Sequence, residues 1–209
     1  MSVEPSGSFA KGTAVRSGTD IDLFISLSFN TPETLKGIYN TLFAALSNSA
    51  LQPRRQDVSI GIRIASAYDV DLVPARKQGL LGNDHSLYSA RRDTWMQTNV
   101  TKHIALIQTC GRLDEIRLMK IWRNRRHLDF PSFFLELATI RALAGRRPAL
   151  SNNVVATLEF LRDHLRNVRI VDPANTNNVV SDTLSDAAKQ AVAVAARAAL
   201  ASTWENEFT

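Results

Sequence analysis

Asp20 and Asp22 open a short apolar run, DIDLFISL, that ends at Leu27. In an extended strand, residues two apart point to the same side of a sheet, so the two carboxylates project together. Held that close, they repel each other unless a positive charge lies between them. This leaves two readings, a solvated strand end or a clamp for a divalent cation. A third carboxylate, Asp71, lies in YDVDLVP, a second extended segment expected to neighbour the first. Aspartates on adjacent strands can bridge two Mg²⁺ ions about 3.5–4 Å apart. One ion would lower the pKa of an acceptor hydroxyl, and the other would hold a triphosphate and neutralise the leaving pyrophosphate. Mg²⁺ takes oxygen ligands, with Mn²⁺ as a substitute. Asp69 points to the same side as Asp71 and stands as its understudy or helper. His85, His103, His127 and His164 show no ligand spacing and read as surface or structural residues.

The elements that must position these groups follow from periodicity. Thr31-Pro32 is a helix-start signal, and Leu35, Ile38, Tyr39, Leu42 and Leu46 then recur at helical spacing. Gln52 to Asp57 reads as a polar turn. Val58 to Ile64 alternates as a half-buried strand, and Tyr68 to Val73 is another, stopped by Pro74. Residues 75–94 are polar and contain Gly, which predicts a loop or a connection between lobes. From Asn99 the pattern is helical: 100–110, 113–126, 131–143 and 151–165, with Gly111 and Gly145 as stops. Residues 168–172 suggest a short extended piece, PANTNN a loop, and Asp182 to Ser202 an Ala-rich helix.

The bulk numbers set outer limits. A chain of 209 residues suits one large domain or two small lobes, and 44% apolar with 22% charged residues is ordinary for a globular protein. No apolar run approaches the roughly 20 residues needed to span a bilayer. MSVEPSGSFAKGT lacks the basic-then-apolar order of a signal peptide, so a cytoplasmic location is expected. Cys110 is the single cysteine, which excludes an internal disulfide and fits a reducing compartment. A net charge of +5 favours anionic ligands. Asp crowds the N-terminal half while Arg dominates from Arg112 to Arg169, an arrangement that would suit a nucleotide.

GSFAKGTAVRSGTDIDLFISL, beginning at Gly7, resembles the signature of the DNA-polymerase-β-like nucleotidyltransferases: Gly-Ser, a spaced Gly-Thr, then Asp-x-Asp, with DVDLVP following from Asp69. IRLMKIWRNRRHLDFPSFFLELATI is similar to the K-x-W…S-x-x-L-E region of one branch. That branch contains 2′-5′-oligoadenylate synthases, archaeal CCA-adding enzymes and the bacterial cGAS/DncV-like nucleotidyltransferases (CD-NTases). TNVTKH and IVDPANTNNV look most like the bacterial members. The resemblance implies an α+β fold, with a polymerase-β-like catalytic lobe of small mixed sheet and helices over residues 1–95. An α-helical, nucleotide- and phosphate-binding lobe would follow over 96–209.

It also implies roles. Asp20, Asp22 and Asp71 would be catalytic metal ligands, with Asp71 best placed to act on the acceptor hydroxyl. Gly7 and Ser8 would hold the β- and γ-phosphates, with Lys11 and Thr19 near the same loop. Lys120 interrupts an apolar helix, where it must be paired, snorkelling or in contact with phosphate. Ser132 opens a helix whose N-terminus favours anions, so it is either a phosphate contact or a cap. Glu136 reads as an internal ion-pair partner, and Tyr68, Tyr88 and Trp95 as packing residues. The implied activity is nucleotidyl transfer from an NTP, with ATP expected, to a ribose hydroxyl with release of pyrophosphate. The acceptor would be another nucleotide rather than tRNA, and the product a cyclic or short oligonucleotide messenger in antiphage defence. A CCA-adding-like RNA transferase and an inactive nucleotide-binding protein are the alternatives. Family members usually carry a long helix ahead of the Gly-Ser loop, where this chain has only MSVEPS. A homo-oligomer or a partner chain is therefore expected to cover the surface such a helix would occupy.

Overall fold

The computed structural model describes residues 1–16, 20–65 and 68–208. They form two compact units. One contains Met1–Gly12 and the chain from Asp20 to Ala105; the other contains the segment starting at Thr13 and the chain from Leu106 onward.

The first unit is built on a seven-stranded sheet. Its elements are β1 (Ser2–Pro5), the single turn α1 (Gly7–Ala10), β2 (Ile21–Leu27), α2 (Leu35–Ser47), β3 (Arg54–Arg55), β4 (Ile60–Ile64), β5 (Tyr68–Lys77), β6 (His85–Ser89) and β7 (Thr94–Thr98). The strand order is β1-β2-β5-β4-β3, with β6 also on β5 and β7 on β6. Among the described residues only β2 and β5 run parallel, and α2 lies between them in sequence, as a crossover must. On one face Ile62, Val70 and Leu72 pack with Leu23, Ile25 and, from α2, Leu42 and Leu46. On the other, Phe24, Ala75 and Leu87 pack with Val73, Met96 and Val100. Alternation along β2 and β5 puts Asp22 on the Phe24 face and Asp71 on the Val73 and Ala75 face, which is the same side of the sheet.

Several expectations need correction. Helix α2 starts at Leu35 with Thr34 as its cap, the hydroxyl accepting from the Gly37 N–H at 3.0 Å; Thr31-Pro32 precedes it. Pro74 does not stop β5. It falls where β5 exchanges one antiparallel neighbour, β4, for another, β6, so its missing N–H leaves no ladder bond unmade on that side. Residues 75–94 are no loop: they complete β5 and enter the β6–β7 hairpin, hidden from periodicity because its strands are only five residues long and mix polar with apolar side chains. Finally, part of the Asn-rich stretch is extended, forming β9 (Asn175–Val179) against β8 (Val171–Asp172).

The sheet continues to Thr98, and the compact division falls after Ala105, within helix α3 (Val100–Thr109). The second unit holds α4 (Leu113–Arg125), α5 (Ser132–Ala142), α6 (Leu150–Asp163), α7 (Asp186–Leu200) and α8 (Trp204–Phe208) around one core, including Trp122, Phe134, Leu135, Val154, Leu161 and Val192. Helix α7 begins at Asp186 under a Ser185 cap, not at Asp182. No helix among the described residues is long and apolar enough to cross a membrane.

Candidate active site

Register decides which carboxylates meet. In the parallel β2–β5 pair, Asp22 lies directly opposite Asp71, and Asp20 stands one residue ahead of β2. The backbone in front of them is the α1 turn. Gly7 adopts φ +56°, and a Cβ on it would lie 1.7 Å from Asp22 Oδ2. Only glycine therefore allows the Gly7-Ser8 turn to close against that carboxylate. The Ser8 backbone N–H bonds the Asp22 carboxylate, and the Ser6 N–H donates to the Asp22 carbonyl at 2.8 Å. Lys11, 8% exposed, places its positive charge close enough to attract Asp22. Gly7, Ser8, Lys11, Asp20, Asp22 and Asp71 thus belong to one arrangement within the first unit; Thr19 lies outside the described residues.

Excess negative charge marks this arrangement. Burial first, and then Asp71, pushes the Asp22 carboxyl up to about 6, against the pull of Lys11 and the Ser8 N–H. Burial and Asp20 also raise Asp71, while a hydrogen bond from Gln56 Nε2 at 2.9 Å opposes the rise. A divalent cation would relieve both groups, and the donor set is entirely hard oxygen, which suits Mg²⁺. In donor chemistry the residues present fit such an ion. The three carboxylates do not by themselves close into a ligand set: among the described residues, no three His, Cys, Asp or Glu side chains form a group that could hold a metal.

Asp69 is engaged elsewhere. It accepts from Arg63 Nη2 at 2.7 Å and from Arg54 Nη2 at 3.0 Å, and the Arg63 bond holds its carboxyl below the usual range. His85 is structural, with Nε2 2.8 Å from Ser26 Oγ and Nδ1 2.9 Å from the Asn83 carbonyl.

The other two expected phosphate contacts, Lys120 and Ser132, belong to the second unit. Lys120 on α4 is 2% exposed. Its Nζ donates to Glu136 Oε1 at 2.6 Å and to Thr13 Oγ1 at 2.8 Å, while Thr13 donates to the same Glu136 oxygen at 2.8 Å. Paired in this way, the charge is tolerated in a helix interior. Ser132 is the first residue of α5, one past the cap position held by Pro131; its Oγ accepts from Arg123 Nη1 at 2.8 Å. Three groups next to the carboxylates escaped the sequence reading: Gln56, Arg54 and Gly61. Their segment read only as a polar turn and an alternating strand, and nothing local signals that it lies beside Asp71.

No protein-family model matches the chain. It is 31% identical over 158 residues to cyclic AMP-AMP-AMP synthase of Escherichia coli (strain MS 115-1), a match covering 66% of this chain and 49% of that protein. The chain thus spans about half the length of the curated relative it matches. Among solved structures, it resembles E. coli MS115-1 CdnC in complex with HORMA-deltaN, with TM-score 0.77 and 25% identity over 95% of this chain and 74% of that one. The CD-NTase CdnG of Bradyrhizobium diazoefficiens, solved with GTP, shares the fold at TM-score 0.73 and 14% identity, covering 99% of this chain and 81% of that one. With the Gly-Ser turn closed on Asp22 and Asp71 in register beside it, the chain shares its fold with these CD-NTases and is similar to the cGAS/DncV-like branch of the DNA-polymerase-β-like nucleotidyltransferases.

Proposed function

We propose that the chain is a Mg²⁺-dependent nucleotidyltransferase that joins the α-phosphate of an NTP to a ribose hydroxyl and releases pyrophosphate. The observation that carries this reading is the register match of Asp22 with Asp71 beside the Gly7-Ser8 turn. The turn offers backbone N–H groups and a hydroxyl to the β- and γ-phosphates. Asp20, Asp22 and Asp71 would hold Mg²⁺, which when bound supplies charge neutralisation for the triphosphate and acidifies the acceptor hydroxyl. Asp71 receives the hydroxyl proton. Ser132, whose Oγ already accepts from Arg123, keeps its own O–H to donate to a phosphate oxygen. The family resemblance is what supports Lys120, whose Nζ donates to Glu136 and Thr13, as a phosphate contact.

The acceptor in this reading is a second nucleotide and the product a cyclic or short oligonucleotide, made in the cytoplasm as a messenger in antiphage defence. The relative's name, cyclic AMP-AMP-AMP synthase, supports both the product class and ATP as a substrate. The CdnC complex with HORMA-deltaN supports a protein partner rather than a membrane. Incubation with labelled NTPs and Mg²⁺ tests the reading. Cyclic or short products that disappear in Asp20→Ala/Asp22→Ala support it; tRNA-dependent incorporation, or nucleotide binding without pyrophosphate release, refutes it.

A further inference from the structure

Asp71 shares one of its two oxygens with a side chain that has no part in the reading above. Gln56 Nε2 donates to Asp71 Oδ1 at 2.9 Å. An exposed bond of this kind ordinarily contributes little, since water competes for both partners, yet Gln56 is held at its side-chain oxygen by Ser59 and at its backbone by Tyr39. Ser59 Oγ donates to Gln56 Oε1 at 2.5 Å, so the oxygen end is taken and the amino end must face the carboxylate. The Gln56 backbone N–H donates to the Ser59 carbonyl at 3.1 Å. Beneath the turn, the buried Tyr39 hydroxyl lies 2.9 Å from the Gln56 carbonyl and 3.0 Å from that of Ser59, and it accepts from the Gln56 N–H at 3.2 Å.

Gly61 makes room for the pair. It is the register partner of Asp71 on β4, and a Cβ there would stand 2.8 Å from Gln56 Nε2 and 3.1 Å from Asp71 Oδ1. Both atoms occupy the space that any other residue at position 61 would fill.

We propose that Gln56 is a positioning residue for Asp71: held by Ser59 and Tyr39 and admitted by Gly61, it takes Oδ1 and so leaves Oδ2 as the oxygen directed to the cation. This rests on the metal assignment of the preceding section. Hydrogen-bonded partners of ligating carboxylates typically matter by 10–100-fold in metal affinity. They act by restricting the ligand to one rotamer and one free lone-pair direction, not by stabilising the fold.

The test is Mn²⁺ affinity of the nucleotide-free protein, read as free Mn²⁺ by electron paramagnetic resonance, alongside thermal melting. The proteins compared are wild type, Gln56→Met, Gly61→Ala and Asp71→Asn. Gln56→Met keeps the length of the side chain and removes the donor. Gly61→Ala keeps Gln56 but displaces its flexible end. Both are expected to weaken Mn²⁺ binding on the order of 10-fold with melting temperature close to wild type, and Asp71→Asn to weaken it further. Wild-type affinity in Gln56→Met together with lost affinity in Asp71→Asn overturns the positioning role and leaves the metal assignment standing. Wild-type affinity in Asp71→Asn overturns both. Equal losses of affinity and of melting temperature in Gln56→Met and Gly61→Ala would make Gln56 a structural residue and overturn the proposal.

Discussion

Asp22→Asn is expected to stabilise the metal-free protein while destroying the site. Burial and the facing Asp71 raise the Asp22 carboxyl from 3.8 to about 6, so the folded chain binds this proton more tightly than the unfolded chain does. Between about pH 4 and pH 6 the folded state therefore holds the proton when the unfolded state has lost it, and stability falls as pH rises through that window. Above it the full penalty remains, and below it there is none. At 1.36 kcal/mol per tenfold change in proton affinity the shift corresponds to roughly 3 kcal/mol. Water reaches a half-buried group and screens it, so about half of that, near 1.5 kcal/mol, is the expected gain from an uncharged isostere that can still accept from the Ser8 N–H. For a chain of this size it corresponds to a rise of about 3–6 °C in Tm. The assay is differential scanning calorimetry of wild type and Asp22→Asn in EDTA at pH 8 and at pH 4. The gain should be present at pH 8 and absent at pH 4. A variant that melts at or below wild type at pH 8, or whose advantage persists at pH 4, would refute the electrostatic account of the site.

Mg²⁺ should raise the Tm of wild type at pH 8 by mass action and leave that of Asp22→Asn unmoved; differential scanning fluorimetry checks it. Gly7→Ala is expected to cost at least about 1–2 kcal/mol for the left-handed backbone alone, and also to displace Asp22, whose Oδ2 lies 1.7 Å from the new Cβ position; a chemical-denaturation curve with a turnover assay reads both losses. Lys120→Met strands Glu136, which is fully buried, so a loss of about 3–5 kcal/mol is expected, with most of it recovered in Lys120→Met/Glu136→Leu; urea unfolding of the single and double variants decides this. If Lys120 also serves phosphate, the recovered double variant should still show a raised KM for NTP. Tyr39→Phe removes a hydroxyl placed between two carbonyls and should cost about 1–2 kcal/mol in the same unfolding experiment.

Short-range patterns were enough to locate most of the elements and to single out the first two carboxylates of the candidate site. The period of two in DIDLFISL puts Asp20 and Asp22 on one side. Helical spacing outlines α2 and α4–α6. Each of these depends on neighbours within a few residues, which is where side-chain periodicity and steric preference act. What the amino-acid order alone left open is which distant groups would share a space. The register of β5 against β2 sets Asp71, not Asp69, opposite Asp22, and Arg54 and Arg63 pair with Asp69. Lys120 met Glu136 and Thr13 only once the second unit had folded, and Gln56 came to Asp71 only because β4 offers a glycine opposite it. Pairing between strands and helices far apart in the chain is fixed by burial and register summed over the whole structure, and a local window of sequence carries no such sum.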